Sequence, residues 1–183
     1  TTREAEAFVM GATEGRTTGV DRNPVNDRKA PDAVWSAPVK TRPAVSARPS
    51  SAFMFASANF CVDGDSVVQC VPAEMWAYHA PGANPQGIGV EHPGFVAWSR
   101  EQWLAPKSAA ALAMGARLVA ELCQHFQIPC EFLDADDVRA KLSGITTHEQ
   151  VAIAYPEKNP SPHKDPGRGF PLRDYLDRVR SYT

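Results

Sequence analysis

One long amphipathic helix is the feature that most constrains how this chain can fold. Residues Lys107 to Gln127 repeat apolar side chains at helical spacing, with Ser108 as a possible N-cap and Pro129 just beyond the end. The predicted buried stripe consists of Leu112, Ala116, Val119, Cys123 and Phe126. Such a stripe must be covered by a second layer, and the strand-like runs elsewhere predict that this layer is a β-sheet.

Four of those runs precede the helix. Ala7 to Thr13, reading AFVMGAT, suits a buried strand, and Gly87 to His92 is a second short one. Ala52 to Val62 and Ser66 to Val71 flank Asp63-Gly64-Asp65, which predicts a hairpin.

The pattern continues after the helix. Pro129 to Leu133 resembles a strand, and Asp136 to Leu142 suits one turn of helix. Leu172, Leu176 and Val179 mark a last amphipathic helix. Strands mixed with helices predict an α/β (α+β) fold, with a central mixed β-sheet flanked by helices.

Composition excludes several classes of protein. The 183 residues fit a single domain over 1–183, and 43% apolar with 22% charged residues is ordinary for a globular protein. A formal charge of -2 argues against nucleic acid as a partner. No apolar run is long enough for membrane insertion, and the sequence shows no signal-peptide pattern, so we expect neither.

Residues 16–50 interrupt the strand and helix pattern. The stretch contains five prolines, and seven basic against three acidic residues. A loop this long inside one domain is usually functional or mobile, and a solvated basic loop is the alternative. We predict an excursion over the surface.

The four cysteines lack the spacing of a structural zinc site. Cys123 and Cys130 bracket the end of the predicted helix and could form a disulfide outside the cytoplasm. Buried thiols that pack as small apolar groups are the alternative.

The stretch from Gly144 to Phe170 carries the candidate chemistry. It holds His148 and His163 and ends in Asp165-Pro166-Gly167, a turn that orients the Asp165 carboxylate. Imidazole and carboxylate are ligands of first-row metals, although a polar surface loop would have the same composition. Glu91, near the end of a short apolar strand, suits either a ligand-binding sheet rim or a surface salt bridge.

These motifs occur in an order that resembles the zinc-dependent N-acetylmuramoyl-L-alanine amidases, a family that includes phage lysozyme-type amidases and peptidoglycan recognition proteins. The segments that carry the resemblance are "VDGD" with "VVQCVP", "WAYHA", "GIGVEHPG" and "THEQVA…HKDPGRGF". It covers nearly the whole chain. It implies a central mixed sheet, a groove for glycan and stem peptide, and action on bacterial cell wall or in the periplasm or extracellular space.

The resemblance also implies a role for each matched residue. His148 and Asp165 match zinc ligands, and Glu91 matches the carboxylate that activates water. His163 falls where many members carry a lysine that stabilises an oxyanion, and an imidazole can donate the same hydrogen bond. The implied cofactor is zinc and the implied partner is peptidoglycan or a muropeptide.

The sequence departs from the family at two positions. Gly11 stands where members have a histidine ligand on the first strand, and Asn59 stands where a histidine is common. His79 and His92 match positions that are not ligands, which leaves Glu14 as a conceivable substitute.

Two functions therefore follow. The first is a peptidoglycan amidase that hydrolyses the amide between N-acetylmuramic acid and L-alanine, impaired by the lost ligand. The second is a pseudo-amidase that binds muropeptide without cutting it, or a structural module. The retained Glu91, His148, His163 and Asp165 favour the enzyme, and Gly11 with Asn59 favours the binder.

Overall fold

The computed structural model describes the backbone of Ala7–Thr13 and residues 56–160 and 163–183. The predicted excursion over 16–50 and the candidate ligand Glu14 lie outside the described residues. The strands are β1 (Ala7–Thr13), β2 (Phe60–Val62), β3 (Val67–Gln69), β4 (Gly87–Pro93) and β5 (Gly144–Thr147). The helices are α1 (Arg100–Trp103), α2 (Pro106–Phe126), α3 (Ala135–Arg139), α4 (His148–Ala154) and α5 (Leu172–Arg180), with a 3-10 turn at Pro156–Lys158.

The five strands form one mixed sheet in the order β3-β2-β4-β1-β5. β4, β1 and β5 are parallel neighbours, β2 is parallel to β4, and β3 is antiparallel to β2. The predicted hairpin closes where the Asp63 amide donates to the Ser66 carbonyl at 2.8 Å. The predicted fold class, a mixed sheet with flanking helices, is confirmed.

The main core lies between one sheet face and α2. Its members include Ile88, Val90 and Ile145 from the sheet, Leu118 and Val119 from α2, and Val179 from α5. The predicted helix stripe is confirmed, because four of its residues are buried and Phe126 is partly buried. Since Ile88 and Val90 face α2, the alternation of a strand turns Gly89 and Glu91 to the opposite face.

Several predicted boundaries were wrong. Ser108 does not cap α2, because the N-cap is Ala105. Pro106 is the first residue of the helix, a position where a backbone N–H has no partner within the helix and proline is therefore tolerated. Pro129 to Leu133 makes only an isolated bridge, from Phe132 to Ile145. The turn of helix predicted over Asp136 to Leu142 begins at Ala135, because Asp134 accepts hydrogen bonds from two amides of the first turn.

His92 is buried in the main core, where α2 leaves room for its ring. The ring makes edge contacts with Tyr175 and Phe170, at centroid distances of 5.2 and 6.1 Å. A Cβ added at Gly115 of α2 would lie 2.1 Å from His92 Nε2. The glycine is therefore required by this close approach.

We expect Gly115→Ala to destabilise the fold by about 1–3 kcal/mol through overpacking, although alanine is the better helix former by about 1 kcal/mol. The measurement is urea unfolding. In a His92→Ala background, where the ring is absent, the same change should be neutral or stabilising. A stabilising effect in the native background would contradict this packing argument.

Candidate metal centre

Glu91 lies near the carboxyl end of β4, at the edge where parallel strands place functional groups. Its register partner on β1 is Gly11, and its partner on β2 is Cys61. The face that carries Glu91 is the one turned away from α2. This position agrees with the sheet-rim alternative rather than with a surface salt bridge.

His148 reaches the same edge from β5. The strand ends at Thr147, whose hydroxyl accepts a hydrogen bond from the Gln150 amide at 3.3 Å and caps α4. His148 is the first residue of that helix, and its side chain is only 10% exposed. The strand-to-helix junction therefore fixes the imidazole.

The loop that carries Asp165 folds back onto this junction. The Glu149 amide donates to the Asp165 carbonyl at 3.1 Å, and His148 Nδ1 lies 3.0 Å from Asp165 Oδ2. Gly167 has a φ of +91°, and a Cβ there would lie 2.1 Å from the Val96 carbonyl oxygen. Glycine meets both the backbone conformation and the close approach.

His163 completes the cluster from the outer side. Its ring stacks on that of His148, with centroids 4.1 Å apart and planes 14° from parallel. Its Nδ1 lies 3.6 Å from Asp165 Oδ1, and 48% of its side chain is exposed. One possible ligand atom from each of these three residues lies within 4.8 Å of the others.

Burial and neighbouring charge shift the titration of this site. Burial and, to a smaller extent, the charge of Asp165 together raise the pKa of Glu91 to about 7, while His148 opposes the shift. Burial and His148 lower the pKa of His163, while Asp165 raises it. A carboxyl group with a pKa near neutrality can accept and return a proton at physiological pH.

The residues present fit a zinc ion. His148 and Asp165 offer an imidazole and a carboxylate, which are ligand types found in catalytic zinc sites. Nε2 of His148 is buried and has no hydrogen-bond partner among the described residues. An unpartnered buried nitrogen in such a cluster is what a metal site needs.

Asn59, where the resemblance predicted a histidine, has a structural role. It is fully buried, its amide donates to the carbonyls of Pro72 and Met75 at 3.0 Å each, and its oxygen accepts from the Gly89 amide at 2.9 Å. These bonds tie β2 to β4 and to the 72–75 loop. The asparagine is therefore committed to backbone groups and is not available as a ligand.

We expect Asn59→Ala to lower the free energy of unfolding by about 2 kcal/mol, because it leaves buried backbone groups without partners. Gln69→Ala, on the neighbouring edge strand, is the control and should have a smaller effect. Equal losses for the two variants in urea titrations would contradict the role assigned to Asn59.

The other histidines lie elsewhere. His79 is buried with Nε2 3.2 Å from the Gly87 carbonyl, and its ring covers Gly89. His125 is exposed on α2. Sequence analysis missed the backbone support of the site, in which the Glu149 amide holds the Asp165 loop. Nothing in the sequence indicates that Glu149 contributes to the site through its backbone amide rather than through its carboxylate.

The cysteines do not enter this cluster. Cys123 and Cys130 are not bridged, which agrees with the alternative of thiols packed as apolar groups. Cys61 lies on β2 and Cys70 directly follows β3, and their Sγ atoms are 3.8 Å apart.

A sequence profile of the Amidase_2 family, described as N-acetylmuramoyl-L-alanine amidase, matches residues 6–168. The chain belongs to this family. The resemblance predicted from the sequence is confirmed, and with it the enzyme class. A search of curated proteins found no match to the sequence.

Several solved structures have a similar fold. The hydrolase AmiA of Staphylococcus aureus, solved with its ligand, is 18% identical with a TM-score of 0.59, over 99% of this chain and 74% of that chain. PlyL is 15% identical with a TM-score of 0.52, over 100% and 87%. The amidase LysC from Clostridium intestinale is 16% identical with a TM-score of 0.51, over 98% and 87%. At these identities the likeness concerns the fold.

In this amidase, none of the helices formed by the described residues has the length and apolar character needed to cross a membrane.

Proposed function

We propose that this amidase hydrolyses the amide between N-acetylmuramic acid and L-alanine of peptidoglycan, at the edge of the sheet where Glu91 faces the His148, His163 and Asp165 cluster. The observation that carries the proposal is the grouping of possible ligand atoms from these three residues within 4.8 Å of one another, close enough to Glu91 for the charges of Asp165 and His148 to act on its carboxyl group. A proton acceptor within reach of a metal-ligand cluster is the arrangement that amide hydrolysis requires.

His148 and Asp165 would hold zinc. When bound, the ion supplies a Lewis acid that polarises the amide carbonyl and makes a water molecule more acidic. Glu91 acts as general base and then as general acid. Its ionised carboxylate accepts a proton from water, and the protonated group returns the proton to the leaving nitrogen. A pKa of about 7 lets the same carboxyl group perform both transfers near neutral pH.

The substrate that we propose places the amidase at the bacterial cell wall, as peptidoglycan is the polymer that contains this bond. Its partner is therefore the glycan with its stem peptide. The proteins of similar fold include an endolysin N-acetylmuramoyl-L-alanine amidase from Clostridium intestinale and a hydrolase solved with its ligand, which supports this substrate class.

The pseudo-amidase alternative keeps one specific observation in its favour. Gly11, which the resemblance aligns with the family's first-strand ligand, has no imidazole and is the register partner of Glu91. A site that lost zinc through this change would bind muropeptide without cutting it.

One experiment decides between the two functions. Zinc is measured after dialysis, and the protein is then incubated with purified sacculi while newly exposed L-alanine amino groups are counted. The amidase should retain zinc and expose amino groups. Retention on sacculi with no new amino groups would reject the enzymatic proposal and leave the binder.

A further inference from the structure

A cavity of about 400 Å³ lies beside the metal centre, and no residue of that centre lines it. Thr146 of β5 lines the cavity. Because Ile145 faces α2, the alternation of the strand turns Thr146 to the sheet face that carries Glu91. Val151 of α4, which follows His148 by about one turn, also lines it. The cavity therefore borders the site on the same face, and its volume is that of a ligand pocket.

The interior of the cavity is apolar and its mouth is aromatic. Leu133, Val138 and Val151 are buried and supply aliphatic side chains. Trp76 and Tyr78 line the same cavity but are 59% and 49% exposed. Large aromatic side chains left in solvent around an apolar cavity are typical of a surface that a ligand covers.

The charge of the cavity is of one sign. Among the described residues that line it, only Lys141 and Lys158 are charged, and neither forms an ion pair with a described residue. Lys158 Nζ lies 5.4 Å from the centre of the Tyr155 ring, which also lines the cavity. Two ammonium groups without acidic partners favour an anionic ligand, and a carboxylate can accept hydrogen bonds from both.

The backbone at Lys141 gives an independent indication of a role for this side chain. Its φ is +57°, and it directly follows the C-cap of α3. Its amide donates to the Val138 carbonyl and the Leu142 amide donates to the Asp137 carbonyl, both at 3.1 Å. Glycine is the usual residue at this position of such a helix end. A lysine in a conformation that suits glycine points to a function for its side chain.

We propose that this cavity binds a short peptide with free carboxylates, which meet Lys141 and Lys158 while apolar parts of the peptide enter the cavity. The identity of the ligand rests on the proposed function, because the stem peptide of peptidoglycan carries free carboxylates and small apolar side chains. The cavity would then hold the part of the substrate that leaves with the L-alanine amino group.

The test is isothermal titration calorimetry with a synthetic stem tetrapeptide that has all its carboxylates free. Lys158→Met keeps a long side chain over Tyr155 and removes its charge, and Lys141→Gly removes the other charge. We expect each variant to bind the peptide about 5-fold more weakly, the upper end for ion pairs between exposed groups.

The glycine variant separates binding from folding. Lys141→Gly relieves the backbone, so urea unfolding should show that it is at least as stable as the native protein. Among the described residues, Gln127 at the end of α2 is the other non-glycine residue with a positive φ, of 56°, and it does not line the cavity. Gln127→Gly is therefore the matched control, and it should leave peptide affinity unchanged.

A second peptide tests the charge directly. The same tetrapeptide with amidated carboxylates should bind the native protein more weakly, and the two lysine variants should not weaken its binding further. Equal affinity of the native protein for the two peptides would overturn the inference. So would native affinity for the free peptide in both lysine variants, or a native protein that gives no heat of binding.

The outcome is separable from that of the proposed function, because the tetrapeptide contains no bond to N-acetylmuramic acid. Peptide binding that depends on the two lysines, without release of L-alanine amino groups from sacculi, supports this inference and rejects the amidase reaction. Release of amino groups by a protein that does not bind the free peptide rejects this inference and supports the reaction.

Discussion

Glu91→Gln is expected to reduce the release of L-alanine amino groups from sacculi by about 10²–10⁴-fold, the usual contribution of a positioned acid or base. Glutamine keeps the size of the side chain and removes its ability to carry a proton. Zinc affinity and retention on sacculi should stay at native values, because Glu91 is not among the proposed ligands. The measurement is initial rate at saturating substrate.

The control for this experiment is Glu121→Gln on α2, which removes an acidic group that forms an ion pair with Arg117 on the helix surface. Its rate should equal the native rate. A loss of folding should not explain a lower rate. The folded-state pKa of Glu91 is raised from 4.5 to about 7, so the contribution of this group to the free energy of unfolding is present at low pH and is lost as pH rises through 7. Glu91→Gln should therefore be at least as stable as the native protein at pH 8, and an unaltered rate would reject Glu91 as the base.

Acid should destabilise the amidase through His92. Burial lowers the pKa of this histidine from 6.5 to about 4, against a smaller opposing contribution from the Val90 backbone. A depressed pKa means that the stabilising contribution is complete above pH 6.5 and is lost as pH falls through 4. The difference of about 2.5 pKa units corresponds to about 3 kcal/mol in the free energy of unfolding.

The comparison that isolates this effect is native against His92→Leu, measured by urea unfolding between pH 4 and pH 7. Glu91 titrates in the same window with the opposite sign, so a single native profile would mix the two. The native advantage over His92→Leu should shrink by about 3 kcal/mol on acidification. Parallel stability profiles for the two proteins would show that the imidazole does not titrate from its buried position.

The parts of the fold that the sequence predicts are those with a strong local signal. The α2 stripe has enough turns to display its period, and Asp63-Gly64-Asp65 is a turn with short-range chemistry. The four residues of α1 are too few to show a period, and its capping box at Ser99 is the only local sign of it. Pro129 to Leu133 has strand composition, but whether it joins the sheet is decided by its neighbour β5.

The site divides in the same way. His148, His163 and Asp165 lie within a short stretch, so their proximity follows from the sequence once a turn is recognised. The stacking of the two rings depends on the path of the segment between them, and the Asn59 side chain bonds to residues 13 and 30 positions further along the chain; a single sequence carries no signal for either. The resemblance supplied roles for the side chains, while the register of Gly11 with Glu91 required coordinates.

The contact between the two loops beside the site limits how this protein can be redesigned. A Cβ at Gly167 would collide with the Val96 carbonyl oxygen, and one at Gly169 would lie 2.0 Å from that of Trp98. The segment that follows Glu91 and the segment that follows Asp165 are thus in direct contact. Exchanging either loop alone with that of a relative would displace the other, so the two loops have to be exchanged together.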